Sequence, residues 1–161
     1  MRLPARAGCL GWDRSAFGTP HGASVRLGAS RPVSSESDLA TVYVCITCRH
    51  ANEPDAEPRP GALLAEATAR AAQDTGVAVR QVRCLANCTR GPSAAVRANG
   101  GSWTYIFGGL DLSGASALIE GARLLAAAPD GIMPWRGRPE PLKRGLIARV
   151  PPLDFTEEDQ T

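Results

Sequence analysis

Residues 83–110 read RCLANCTRGPSAAVRANGGSWTYIFGGL, and the order of signals within them decides the fold. Asn99-Gly100-Gly101 is a strong hairpin signal, because tight turns between twisted strands need positive φ, which glycine and asparagine tolerate. It joins Ser93–Arg97 to Ser102–Phe107, and both runs read as strands. Gly108-Gly109 ends the second of them. Upstream, Val77–Arg83 alternates in part and reads as another strand. It delivers the chain into Cys84 and Cys88, and Thr89–Pro92 turns it back toward the hairpin.

Working outward, Leu39–Val44 is a short apolar run of strand type that leads directly into Cys45-Ile46-Thr47-Cys48. A loop with Pro54, Pro58 and Pro60 follows. The spacing then predicts a helix over 61–75, with Leu63, Leu64, Ala67 and Ala71 on its apolar face and Gly76 as its stop. A second helix is expected from Ser113, as N-cap, to Ala128, facing the core through Leu118, Ile119, Ala122 and Leu125. The order is β-α-β-β-β-α, an α/β domain over 39–131. A domain that size buries little more than ~60% of its unfolded surface, so a bound metal centre would add stability.

Residues 1–38 are rich in Gly, Ser, Pro, Ala and Arg without sustained period, and are expected to be a disordered tail. Residues 132–161 read as a basic arm with an acidic end. The arm carries Arg136, Arg138, Lys143, Arg144 and Arg149, with Trp135, Leu142, Leu146 and Ile147 to tack it down. Its charge could also steer an acidic partner.

Composition narrows the class of function. A net charge of +2 and 5% aromatics give no footprint for nucleic acid. No apolar run approaches the roughly 18 residues of a membrane span. The first 20 residues lack the apolar core of a secretory signal, so a cytoplasmic location is expected. Gly108-Gly109 has no phosphate-loop context, and no hydrolase-type Ser/His/Asp or carboxylate pair stands out.

In a reducing compartment, paired cysteines more often bind metal or do redox chemistry than staple a fold. Four of the five cysteines form two pairs, Cys45/Cys48 and Cys84/Cys88, each directly after an expected strand. If those strands are neighbours, both pairs lie at one end of the sheet. Four thiolates there suit a 2Fe–2S cluster with two ligands per iron, or one tetrahedral zinc. Zinc ribbons usually separate their pairs by about 15–20 residues; here residues 49–83, with a whole helix, intervene. A thioredoxin-type dithiol needs a helix N-terminus at the motif, and the proline-rich loop displaces it. Small buried apolar cysteines are the remaining reading. The cluster is favoured, and zinc and dithiol chemistry stay open. Cys9 stands alone. His50 reads as a surface or supporting residue rather than a fifth ligand, and with His21 in the tail a Rieske centre fails. Asn87 reads as a turn residue or as a donor to a sulfur.

The stretch 83–110 resembles the second half of thioredoxin-like 2Fe–2S ferredoxins, in which a strand leads to C-x3-C, a Gly/Ala-Pro step, a short strand, a turn and an aromatic-bearing strand. That resemblance implies a thioredoxin-like ferredoxin fold with a four-stranded mixed sheet and two helices. It implies Cys84 and Cys88 as the second ligand pair and Cys45 and Cys48 as the first. In those ferredoxins a longer loop separates the first pair; here only two residues do. Over 41–152 the chain is also similar to a bacterial family of predicted metal-binding proteins, domain of unknown function 1636, with GIMPWRGRPEPLKRGLIARVPP at 131–152 supporting the match. That family's implied setting is cobalt and cobalamin metabolism. Together the resemblances imply an electron carrier or metal-binding protein rather than a bond-making enzyme, with a redox partner protein and self-association as a homodimer left open.

Overall fold

The alternation in Ala40–Cys45 (β1) sorts its side chains between two environments. Ala40, Val42 and Val44 are buried on one face, while Thr41 and Tyr43 are half-buried on the other. The computed structural model describes residues 39–50 and 52–156. The tail at 1–38, with Cys9 and His21, and the acidic end at 157–161 lie outside the described residues.

From β1 the chain crosses through α1 (Pro60–Ala71) to β2 (Val77–Val82), which lies parallel to β1 in the register Ala40↔Val77 to Cys45↔Val82. A parallel pair needs a crossover of this length, and the helix supplies it. The hairpin at 99–101 then joins β3 (Ala94–Ala98) to β4 (Thr104–Phe107), with Gly100 and Gly101 both at φ 76°. β3 runs antiparallel to both β1 and β4. α2 (Gly114–Ala126) packs against β1, β3 and α1, so both helices cover one face of the sheet. Leu64, Leu118, Leu125, Tyr105 and Phe107 fill the layer between. The order β2-β1-β3-β4, with a parallel β-α-β half and an antiparallel β-β-α half, is the thioredoxin-like arrangement.

Among the described residues the sheet has five strands and the domain three α-helices, against the four and two expected. The added elements come from the stretch read as an arm: α3 (Glu140–Arg144) and β5 (Leu146–Val150). β5 pairs antiparallel with β4, in the register Thr104↔Val150 to Phe107↔Leu146. Without it, β4 would present an open row of backbone donors and acceptors. Leu142 of α3 and Met133 before it enter the core. The basic charges divide accordingly: Arg136, Arg144 and Arg149 are exposed, and Arg138 is buried.

Two local readings shift. α1 turns its face by about one position, burying Leu64, Ala65 and Thr68 and leaving Leu63, Ala67 and Ala71 half-buried. Thr68 is admitted to the core because its hydroxyl donates to the Leu64 carbonyl at 2.7 Å within the helix. Ser113 occupies the N-cap position of α2, but its side chain makes no cap bond. Instead the Asp111 carboxylate braces the turn just before the helix, accepting the Ser113 N–H at 2.9 Å. Hydrogen bonding by the Ser113 hydroxyl outweighs the opposing effect of burial and, with backbone N–H donors, holds the Asp111 carboxyl below its ordinary value.

Tyr105 ties the C-terminal stretch to the sheet. Its hydroxyl accepts the Met133 N–H at 2.8 Å in the interior. Tyr105→Phe leaves that buried donor without an acceptor, so urea unfolding should show a loss of about 1–3 kcal/mol. An unchanged midpoint would mean that the amide finds another partner.

Candidate functional site

Parallel pairing brings the ends of β1 and β2 to the same edge of the sheet. Cys45 is the last residue of β1, and Cys84 lies two residues beyond Val82, the last of β2. The backbone holds the first motif firmly. Cys45 N–H donates to Ser93 O at 3.0 Å, Ile46 N–H to Val82 O at 2.9 Å, and Gly61 N–H to Cys48 O at 3.1 Å. The second motif is looser. It leaves the sheet after Val82, turns through Ala86 at φ 56°, and closes in a 3₁₀ turn at Cys88–Arg90.

The two pairs therefore sit in different surroundings. Cys45 and Cys48 are only 2% and 4% exposed, whereas Cys84 and Cys88 are exposed on the loop. All four are free thiols. Two glycines press on the buried pair. A Cβ at Gly61 would lie 2.2 Å from Cys45 O, and one at Gly91 would lie 3.3 Å from Cys48 Sγ.

Polar contacts join the motifs. Cys45 Sγ lies 3.5 Å from both Thr47 Oγ1 and Arg83 O. The Thr47 hydroxyl itself donates to Arg83 O, stitching CITC to the start of CLANC. Within CLANC, the Ala86 N–H donates to Cys84 Sγ at 3.2 Å.

The buried thiols are polarised in opposite directions. Burial pushes Cys45 up, but hydrogen bonds from the Thr47 hydroxyl, the Cys48 thiol and the Thr47 and Leu85 amides outweigh it, and the thiol lies below its ordinary value. Burial pushes Cys48 up to about 11, aided by its bond to Cys45 and opposed by Ser93.

The structure thus brings Cys45 and Cys48 together and sets Cys84 and Cys88 on the adjoining loop. Among the described residues, no three Cys, His, Asp or Glu side chains converge within ligand reach of one ion. The donor set nonetheless fits a thiophilic centre: four sulfurs at one sheet edge, with the Ala86 amide already turned toward Cys84. His50 is half-buried, and its carbonyl closes a small turn by accepting the Glu53 N–H at 3.2 Å. The Asn87 amide holds the turn, donating to Ser93 Oγ at 2.9 Å and toward Arg90 O at 3.4 Å. Sequence reasoning passed over Thr47 and Ser93. Ser93 was legible in principle, because it immediately precedes β3, whose first residue Ala94 pairs with Val44 beside Cys45.

Fold and site together define a thioredoxin-like domain with two cysteine pairs at the ends of its parallel strands. The chain belongs to the family Protein of unknown function (DUF1636), which matches residues 42–152. No curated protein matches it. Among solved structures it is similar to a thioredoxin-like [2Fe-2S] ferredoxin from Aquifex aeolicus, at 16% identity and TM-score 0.45, covering 72% of this chain and 97% of that one. A cysteine-to-serine variant of the thioredoxin-like ferredoxin from the same organism gives 16% and 0.45, covering 68% and 98%. The strand order, not these likenesses, defines the fold. Among the described residues no helix is long and apolar enough to cross a membrane.

Proposed function

We propose that this protein binds a 2Fe–2S cluster through Cys45, Cys48, Cys84 and Cys88 and passes single electrons to a partner protein. The observation that carries this reading is the placement of the two cysteine pairs at one sheet edge, with the Ala86 amide donating to Cys84 Sγ at 3.2 Å. Such N–H donors stabilise thiolate over thiol and tune a bound centre. The cluster, when bound, supplies the one-electron couple. The buried pair would exclude water on one side, and the exposed loop would close the other. Arg136 and Arg149, both exposed, suit an acidic partner.

A dithiol oxidoreductase is the second reading, favoured by the opposed shifts of the two neighbouring buried thiols, Cys45 lowered and Cys48 raised. The burial of both sulfurs weighs against exchange with a protein disulfide.

Anaerobic purification followed by visible spectroscopy and assays for iron, sulfide, zinc and cobalt separates these readings; cobalt is included because the family resemblance implies cobalt metabolism. The expected result is a coloured protein with iron and sulfide in equal amounts. Cys84→Ser changes an exposed residue and should keep the fold while lowering cluster content by more than about tenfold. A colourless protein with one zinc and no sulfide sinks the ferredoxin reading in favour of a zinc module. Full metal content in Cys84→Ser overturns the ligand set. Disulfide exchange that survives loss of Cys84 and Cys88 but not of Cys45 favours the dithiol.

A further inference from the structure

Arg138 is 6% exposed, yet among the described residues no carboxylate lies within ion-pair distance of it. Its guanidinium donates to the Met133 carbonyl and lies over the rings of Tyr105 and Trp135, at 5.4 and 5.3 Å from their centroids. Its Nε is buried and bonded to nothing. A buried cation is ordinarily matched by a counter-charge, because desolvation is repaid only by pairing and hydrogen bonding. One neutral carbonyl and two ring faces leave this charge uncompensated.

The same side chain lines a cavity of about 600 Å³. That volume falls within the range of about 300–1,000 Å³ typical of small-molecule sites. Leu124, Ile132, Trp135 and Tyr105 contribute apolar wall, and Arg149 provides a second cation. Asp130 is the one acid on the lining, and its carboxylate already accepts the Ile132 N–H at 3.0 Å. Arg149 stands over the Trp103 ring, at 4.8 Å from its centroid, and is itself exposed.

We infer that this cavity is a binding site for a small organic carboxylate, with the anionic end held by Arg138 and Arg149 and the apolar body against Trp135, Leu124 and Ile132. Arginine is suited to this role because its planar fork matches a carboxylate and stays charged when buried. The apolar wall selects against inorganic anions, which have nothing to place there. The cavity is separate from the cysteines. It rests on Tyr105 and the 124–149 region, whereas the thiols rest on β1, β2 and their loops.

Benzoate tests it, with benzamide as its uncharged isostere and inorganic phosphate as an anion without an apolar body. The full chain is titrated with each while the amide of Met133 and the indole N–H of Trp135 are followed by NMR. Benzoate should shift both saturably below about 10 mM, and benzamide should bind about tenfold or more weakly, the loss expected for a charge-assisted bond. Arg138→Met should abolish the response. Because that variant removes a buried side chain and could unfold, Arg149→Gln, at an exposed position, provides the second arm and should weaken benzoate several-fold with the spectrum otherwise intact. No saturable shift in this range, equal binding of benzamide, binding of phosphate as tight as benzoate, or an Arg149→Gln protein that binds benzoate like the parent would each overturn the site and leave Arg138 as a clamp on the Met133 carbonyl.

Discussion

A chain ending at Gly131 is expected to lose cooperative folding. The cut follows the β-α-β-β-β-α unit that the sequence delimits, yet it removes Leu142 and Met133, which are 0% and 1% exposed. Burying each contributes about 1.5–3 kcal/mol, so together they supply about 3–6 kcal/mol, against a typical domain stability of about 5–15 kcal/mol. The cut also strips β5 from β4, removes the amide bonded to the Tyr105 hydroxyl, and opens the wall over Tyr105 and Phe107. An unpaired β4 edge beside exposed aromatic surface invites association. Urea unfolding followed by circular dichroism should show a shallow, non-sigmoidal change and a rise in aggregation. A sharp transition with the midpoint of the full chain would show that the core closes without α3 and β5.

Gly61→Ala should be destabilising although alanine is the better helix former. In an unconstrained helix interior the exchange stabilises by about 1 kcal/mol. Here the added methyl carbon would fall 2.2 Å from Cys45 O and 3.1 Å from both Cys48 N and Cys48 Cβ. These are backbone and near-backbone atoms, held by the Gly61 N–H to Cys48 O bond, so α1 and the CITC turn must move apart. A net loss of about 1–3 kcal/mol is expected, as for an overpacked core. The same displacement should expose the buried thiols, so Cys45 and Cys48 should react faster with a thiol reagent in the native state. A stabilised variant with unchanged thiol reactivity would show that α1 is free to shift at no cost to the motif.

The C-terminal stretch and the surroundings of the CITC turn are the parts least legible in the sequence. β5 reads LIARV, and its last three residues are exposed. An edge strand with so little burial needs no alternation, because its main tie is backbone hydrogen bonding to β4, which is indifferent to side-chain type. Its apolar residues were read as tacking points for that reason. Thr68 and Arg138 were missed for a related reason. Each is polar by composition but buried: Thr68 satisfies its hydroxyl within α1, and Arg138 lies between aromatic rings. The face of α2, in contrast, was fully legible, since Leu118, Ile119, Ala122 and Leu125 are all buried and all apolar.

For the site, the cysteine spacing and the strand before each pair placed both motifs, and parallel pairing of β1 with β2 put them at one edge. The difference between the pairs was not legible. Nothing local to CITC says that it is buried while CLANC is exposed. That follows from Gly61 and Gly91 closing on Cys48 and from the Ser93 carbonyl capping Cys45, contacts between residues remote in the chain.

By itself, then, the sequence determined what local patterning encodes: the strands, the glycine hairpin, the amphipathic face of α2 and the position of four thiols at strand ends. Only the tertiary structure decided which thiols are dry, which amides point at sulfur, how the fifth strand closes the sheet, and that an arginine is buried beside a cavity. Local periodicity records whether a residue meets the core. It does not record which distant backbone or ring it meets there, and the chemistry of this protein is set by those meetings.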